Sequence, residues 1–579
     1  MSHSVNHMTR GGQVWAHQIR MALQVLKNTF LISLVLSFGG LLFRLFKIIT
    51  LETVYLVFMA WWAETKMTFA TLMKGGITEI TFWHAGQWQT WKAISFLRHP
   101  FVQEAQNLTQ LAFAKALSSE SLPFLLWSFI GSFFFVGTYF YVMGRSVRQK
   151  KHVRGLKIVS LKQLKRLMKQ RKLKSVLHLD GVPLVKDCET SHMLIAGTTG
   201  SGKTNALNHL LPKIRHQKAV IVDLTGELTK RYFDATRDVV LSPSHPETSF
   251  WNPWLDAKNA FEFRAFASAF VGEGSKHDPF WADAAKECLA AALEKLSDIQ
   301  SLPTLIEILT KTNLKTFYRF FEGTSAAAYA DPKGERTTVS IRSTLSSRIQ
   351  SLDILQHQQQ GDFSLRSWIQ QDSLEGGTPG YDNPGWLFLT TKPDERDVLC
   401  PLISAQLGVT LKGLMQMAPN SERRCWFIID ELPALNKTPA LLTTATEGRK
   451  YGACLVAGIQ DMAQLKSKYG HDEAATLLNQ MNTKVFFRFT DPQNALMISK
   501  MLGEKEEKSV KENISYGANT IRDGVSLNEA TSKEPLVMPT EIAALKNLEC
   551  FIRLPEDLPI VKHQMRFKVL EEKDSNYAQ

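Results

Sequence analysis

Gly197-Thr198-Thr199-Gly200-Ser201-Gly202-Lys203-Thr204 is a complete phosphate-binding loop, with small residues where backbone must wrap phosphate oxygens. The apolar run Met193-Leu194-Ile195-Ala196 precedes it and a helix-like stretch, Asn205 to Leu211, follows. That strand–loop–helix setting argues against a chance glycine-rich turn. Loop amides and the helix N-terminus make an anion nest for the β- and γ-phosphates of ATP. Lys203 is expected against those phosphates, with the Thr204 hydroxyl on Mg²⁺.

Cys425-Trp426-Phe427-Ile428-Ile429 ends in Asp430-Glu431. Such a strand supplies the carboxylates of phosphoryl transfer. Asp430 can hold Mg²⁺ through water, and Glu431 can orient or deprotonate the attacking water. Alone the pattern is weak; beside the loop it is strong. Gln460 ends the apolar run Leu455–Ile459, where an amide can sense the γ-phosphate, although an ordinary polar strand end is the bland alternative. Arg449, in Glu447-Gly448-Arg449-Lys450-Tyr451-Gly452, is a candidate arginine finger, against a plain surface arginine.

These residues need a scaffold. Apolar strands at Ala219–Asp223 and Val485–Thr490 alternate with helical stretches, which predicts a doubly wound α/β sheet with its site at the strand C-termini. Between Ala257 and Gln371 the periodicity is helical, as in Asp283 to Leu296. An all-α domain is therefore inserted in the core, returning through the glycine- and proline-rich stretch Gly376–Gly385 to Trp386–Thr390.

The net charge of +13 invites a nucleic-acid reading, but thirteen Lys/Arg and no Asp/Glu lie between residues 145 and 175, leaving the rest formally neutral. This basic run follows Leu122–Met143, which carries no charge and is long enough to span a bilayer. Anionic lipid is its first expected partner, with DNA contact an alternative. Asn28–Ile48 is a second span, with Arg44 and Lys47 near its end, and Val54–Trp62 reads as an interfacial segment. The positive-inside rule puts both termini in the cytosol. No small-residue cleavage site follows the first apolar run. The six cysteines form no CxxC pair, so neither zinc nor redox chemistry is indicated.

The expected plan is a cytosolic tail (1–27), a transmembrane helix (28–48), a periplasmic loop (49–121), a second transmembrane helix (122–143) and a basic neck (144–175). The nucleotide-binding domain follows in two parts (176–256 and 372–579) around the all-α insert (257–371).

Glu189-Thr190-Ser191-His192, Asp278 to Glu287, Arg342-Ser343-Thr344-Leu345, Asp430-Glu431-Leu432-Pro433, Glu447 to Gly452 and Gly458-Ile459-Gln460 together resemble the type IV coupling proteins of conjugation, the TraG, TraD and TrwB family. The resemblance implies a RecA-like P-loop ATPase core behind a two-helix anchor, in a homo-hexamer on the bacterial inner membrane. It implies partners too: the relaxase of the relaxosome, single-stranded DNA, and inner-membrane components of the type IV secretion channel. By position, Lys203 and Thr204 would serve the loop, Asp430 and Glu431 the hydrolytic pair, Gln460 the sensor, and Arg449 a neighbour's site. Some TraD-like proteins continue into a long acidic or Gln/Pro-rich tail. This sequence ends in a short polar stretch with Glu571, Glu572 and Asp574, so the resemblance does not carry tail-mediated docking over to it. Two other readings stay open: another membrane-anchored DNA translocase or secretion ATPase, and a nucleotide-gated receptor that docks substrate without pumping.

Overall fold

Apolar runs without alternation belong in strands buried on both faces, the habit of parallel sheets. A computed structural model describes residues 2–47, 49–73, 75–116, 118, 121–147, 151–272, 274, 279–355, 361–371, 385–515 and 524–569. The expected return at 376–384, Asp278, Arg148, Lys150 and the acidic residues 571, 572 and 574 lie outside them.

The central sheet is ten-stranded: β1 (Ile158–Val159), β2 (Met193–Ala196), β3 (Lys218–Asp223), β4 (Val239–Leu241), β5 (Trp386–Thr390), β6 (Cys425–Ile429), β7 (Ala453–Ile459), β8 (Thr483–Phe486), β9 (Glu549–Arg553) and β10 (Ile560–Gln564). Its order is β1-β10-β9-β8-β2-β7-β6-β3-β5-β4. From β8 across to β4 every neighbouring pair is parallel. The α/β reading holds, but the sheet is mixed. β9 runs antiparallel to β8, and β10 antiparallel to β9. The short turn between β9 and β10 leaves no room for a crossover, so only the antiparallel return is open to it.

The helices between β4 and β5 pack into the core that they interrupt. Phe263, Phe266 and Phe270 of helix Ala260–Val271 belong to one buried cluster with Leu402, Leu407 and Leu411 of helix Arg396–Met415 and with sheet residues such as Phe427. This explains why Arg396–Met415 is apolar enough to cross a membrane by composition, yet 72% buried. The basic neck folds as well. Helix Leu161–Gln170 starts on a capping box made by Ser160 and Gln163. It buries Leu164 and Met168 and turns Lys162, Lys165, Arg166 and Lys169 outward. The strands Glu504–Ser515 and Gly524–Pro535 were not anticipated.

The chain divides into two units, residues 1–151 with 509–530, and residues 152–508 with 531–579. In the first, helix Ser2–Phe46 runs straight through the expected tail and span. No proline interrupts it, so the expected tail and span share one helix. Its apolar part, Ile19–Arg44, and Pro123–Met143 are candidate spans. Thr29, Ser33 and Ser37 repeat at helical spacing and are buried. The Ser37 and Ser128 hydroxyls lie 2.7 Å apart and Ser132 donates to the Ser33 carbonyl at 3.4 Å, polar contacts between the two helices, while the Ser33 hydroxyl itself is buried without a partner among the described residues. The expected interfacial segment is instead part of a full helix, Leu51–Leu72. Leu56, Ala60 and Ala63 face a small core with Phe82 and Phe96, so tertiary packing carries the helix well past Trp62.

Gly458 shows how tight the centre of the sheet is: a β-carbon there would lie 1.8 Å from the Asp430 carbonyl oxygen. Gly458→Ala must push β7 from β6 and is expected to cost at least about 1–3 kcal/mol. A fall in Tm together with weaker nucleotide binding checks this, since both Asp430 and Gln460 would move.

Candidate nucleotide site

β2 lies between β7 and β8, with Ala196 opposite Ile459 and opposite Phe486. The loop after β2 is therefore gripped from both sides. Gly197 N donates to the Ile459 carbonyl at 3.0 Å, and Thr198 donates to the Arg488 carbonyl through N and Oγ1 at 3.0 and 3.1 Å. A side chain at Gly197 would strike Phe487 and the Ser201 hydroxyl, and Gly202 sits at φ +126° against Phe487 and Leu548. The glycines are packing requirements as well as turn formers. The amides of Gly200, Gly202, Lys203 and Thr204 meet no protein acceptor among the described residues. They are free to bind an anion.

Lys203 opens helix Lys203–Leu210 and is only 7% exposed. Its ammonium donates to the carbonyls of Gly197 at 2.8 Å and Thr198 at 3.3 Å, curled over the loop it closes. Burial lowers its pKa, and Glu431 and Asp430 partly restore it.

The two carboxylates stand at the C-terminal end of β6. Burial first, then Asp223 and Glu431, push the Asp430 carboxyl up to about 7. Asp223 is itself pinned by the amides and hydroxyls of Thr225 and Thr229 and by the Gly226 amide. Burial also raises Glu431, which the Gln460 amide bond, Lys203 and Arg396 pull back down. Asp430 Oδ1 and Glu431 Oε2 are buried without a hydrogen-bond partner among the described residues. Gln460 ties loop to carboxylate: its N–H donates to Glu431 Oε1 at 3.3 Å, and its Oε1 accepts from Thr199 Oγ1 at 2.8 Å.

Free amides facing unpartnered carboxylates suit a polyphosphate bridged by a cation. Thr204 and Asp430 are the residues here that would hold Mg²⁺. Among the described residues no group of three or more His, Cys, Asp or Glu forms a protein-only cage. An ion would take most of its ligands from phosphate and water.

The structure groups Lys203, Thr204, Asp430, Glu431 and Gln460, but not Arg449. Arg449 is exposed in the 3-10 turn Gly448–Tyr451, which enters β7, whereas the loop lies at the strand's exit. At about 3.3 Å per residue, the seven residues of β7 separate the two by roughly 20 Å.

Sequence reasoning missed Asp223, Arg396 and the part played by His192. His192 Nδ1 accepts from the Leu455 amide at 3.2 Å, so its Nε2 carries the proton and donates to the Ala445 carbonyl at 3.1 Å. Burial holds its pKa near 4, so it stays neutral. It pins the start of β2 to β7 and to the helix that leads to Arg449. Only the terminal carboxyl of β3, Asp223, was readable in advance, because strand ends carry the site in such sheets.

Residues 176–566 match the family described as the type IV secretion-system coupling protein DNA-binding domain. The coupling protein TraD of Escherichia coli K12 is 30% identical over 580 residues, covering 98% of this chain and 78% of TraD. The conjugal transfer protein TraG of Escherichia coli is 23% identical over 403 residues, covering 60% of this chain and 61% of TraG. Among solved structures, the unbound coupling protein TrwB superposes with a TM-score of 0.63 at 29% identity, covering 74% of this chain and 96% of that one. TrwB in complex with ADP and Mg²⁺ gives 0.62 at 28% identity, covering 74% and 97%.

The raised Asp430 carboxyl makes a pH prediction. Without metal, the folded state binds this proton up to about pH 7, while the unfolded chain releases it near 3.8. Stability is therefore lost as pH rises between those values and stays low above them. Asp430→Asn should raise Tm in EDTA at pH 8 by the equivalent of about 1–3 kcal/mol, discounted because the carboxyl is partly open to water. The gain should shrink as pH falls to 5. A gain that is absent at pH 8, or larger at pH 5, contradicts the assigned burial.

Proposed function

This chain belongs to the type IV secretion-system coupling proteins, and on that premise we propose that it is a hexameric inner-membrane ATPase of conjugation. It receives a relaxase–DNA complex, links it to the inner-membrane components of the secretion channel, and spends ATP to move single-stranded DNA. The observation that carries this reading is the set of unsatisfied loop amides facing Asp430 and Glu431 across the ends of a parallel sheet. TrwB, which shares the fold, was solved with ADP and Mg²⁺.

The loop amides and Lys203 hold the β- and γ-phosphates and neutralise charge gathering on the transferring phosphoryl group. Mg²⁺ held by Thr204 and Asp430 supplies further charge neutralisation when bound. Glu431 orients the attacking water and accepts its proton. Gln460 joins loop and carboxylate, so a change at the γ-phosphate reaches the start of helix Met462–Tyr469 two residues on. The candidate spans anchor the ring, and the basic neck helix meets anionic lipid.

Lys203→Ala should lower hydrolysis by orders of magnitude and abolish DNA transfer while leaving membrane insertion intact. Glu431→Gln should still bind nucleotide, with turnover close to nil. Parent-like ATPase in purified Lys203→Ala would refute the site, and parent-like turnover in Glu431→Gln would move the base elsewhere.

Arg449 cannot serve its own loop from the far edge of the sheet, so it is assigned to the nucleotide of an adjacent subunit. In known finger systems this is worth about 10³–10⁵ in rate. Arg449→Ala and Lys203→Ala should each be inactive alone. Mixed rings should recover activity where a sound loop meets a sound arginine. Full activity of Arg449→Ala alone removes the finger role.

A further inference from the structure

The pairing of β8 with β9 sets Lys484 directly opposite Arg553. Like charges in facing positions of an antiparallel pair destabilise it. Neither is neutralised. Lys484 donates to the Met481 carbonyl and Arg553 to the Met501 carbonyl. Among the described residues no carboxylate forms an ion pair with either. Burial first, then Arg553, lowers the Lys484 pKa to about 8. Both side chains line a cavity of about 770 Å³ that Arg449 and Lys500 also line. Its acids, Glu556 and Asp557, stand exposed on the turn joining β9 to β10, at φ +66° and +49°. Four cations thus converge at the entry edge of the sheet, two of them forced together by strand register.

We infer that this cavity binds phosphate oxygens of a nucleotide held by an adjacent copy of the chain, through Lys484 and Arg553 beside Arg449. This rests on the trans role proposed for Arg449. The chain's own loop lies at the other edge of the sheet, so a phosphate reaching this cavity comes from outside the chain. An anion there offsets the repulsion between Lys484 and Arg553, and the apo protein carries that repulsion uncompensated.

The inference gives stability and activity opposite signs. Lys484→Met and Arg553→Met keep most of the apolar stem and remove one charge each. In the full-length protein reconstituted in nanodiscs, either should raise Tm without nucleotide. Mg-ATP turnover should fall about 10- to 100-fold, the worth of one charge-assisted hydrogen bond. Mixing Lys484→Met with Lys203→Ala should recover turnover. Turnover equal to the parent's overturns the inference, and if Arg449→Ala still complements Lys203→Ala, the trans arginine survives it. A fall in both Tm and turnover, without recovery on mixing, marks Lys484 as structural and also overturns it. Loss of affinity for a short single-stranded DNA, with turnover unchanged, identifies the occupant as DNA and overturns it as well. If neither mixture recovers on confirmed co-assembly, the trans reading fails and takes the inference with it.

Discussion

Three carboxylates, Asp223, Asp430 and Glu431, share a crevice with Lys203 and the nearby Arg396, and the crowding of the carboxylates governs the rest of the centre. Desolvation and mutual repulsion hold Asp430 up to about 7. The crevice is therefore incomplete by its own electrostatics and gains from positive charge. Around it the fold is rigid where it must be. Gly458 lets β7 press on the Asp430 carbonyl, Asp223 is fixed by backbone and hydroxyl donors, and the loop is gripped by β7 and β8. Repelling groups stay close only because the parallel ladder gives them no other place.

The grouping of Lys203 with Asp430 and Glu431 was legible in the sequence because it depends on local spacing. A glycine-rich loop between an apolar strand and a helix can do few other things, and an apolar strand ending in Asp430-Glu431 supplies its partner. The sheet's mixed character was not legible. The direction of β10 against β9 follows from turn length, and that of β9 against β8 from a long connection, neither of which periodicity reports. The helix Leu51–Leu72 was cut short in reading because its burial depends on Phe82 and Phe96, distant in sequence. Likewise nothing local announces His192, whose value lies in Leu455 and Ala445, or the facing of Lys484 and Arg553, which is a matter of register.

The two ends of the strands carry different groups. At the strand exits lie the acids, with a loop built for anions between them. At the entries lie Arg449, Lys484 and Arg553. The fold thus sets its catalytic-site carboxylates and its cluster of cations at opposite ends of the same strands. β7 links them directly, beginning shortly after Arg449 and ending just before Gln460.

The helical insert has a mechanical consequence. Its phenylalanines share one hydrophobic cluster with the helix Arg396–Met415 and the sheet, so the insert is coupled to the core by direct packing. Load on the insert is borne by the same close-packed interior that sets the spacing of the carboxylates, and such interiors transmit strain instead of absorbing it. A strand tugging at the insert would thus be felt at the phosphates as tension rather than as a swing. The insert and the sheet should melt as one cooperative block.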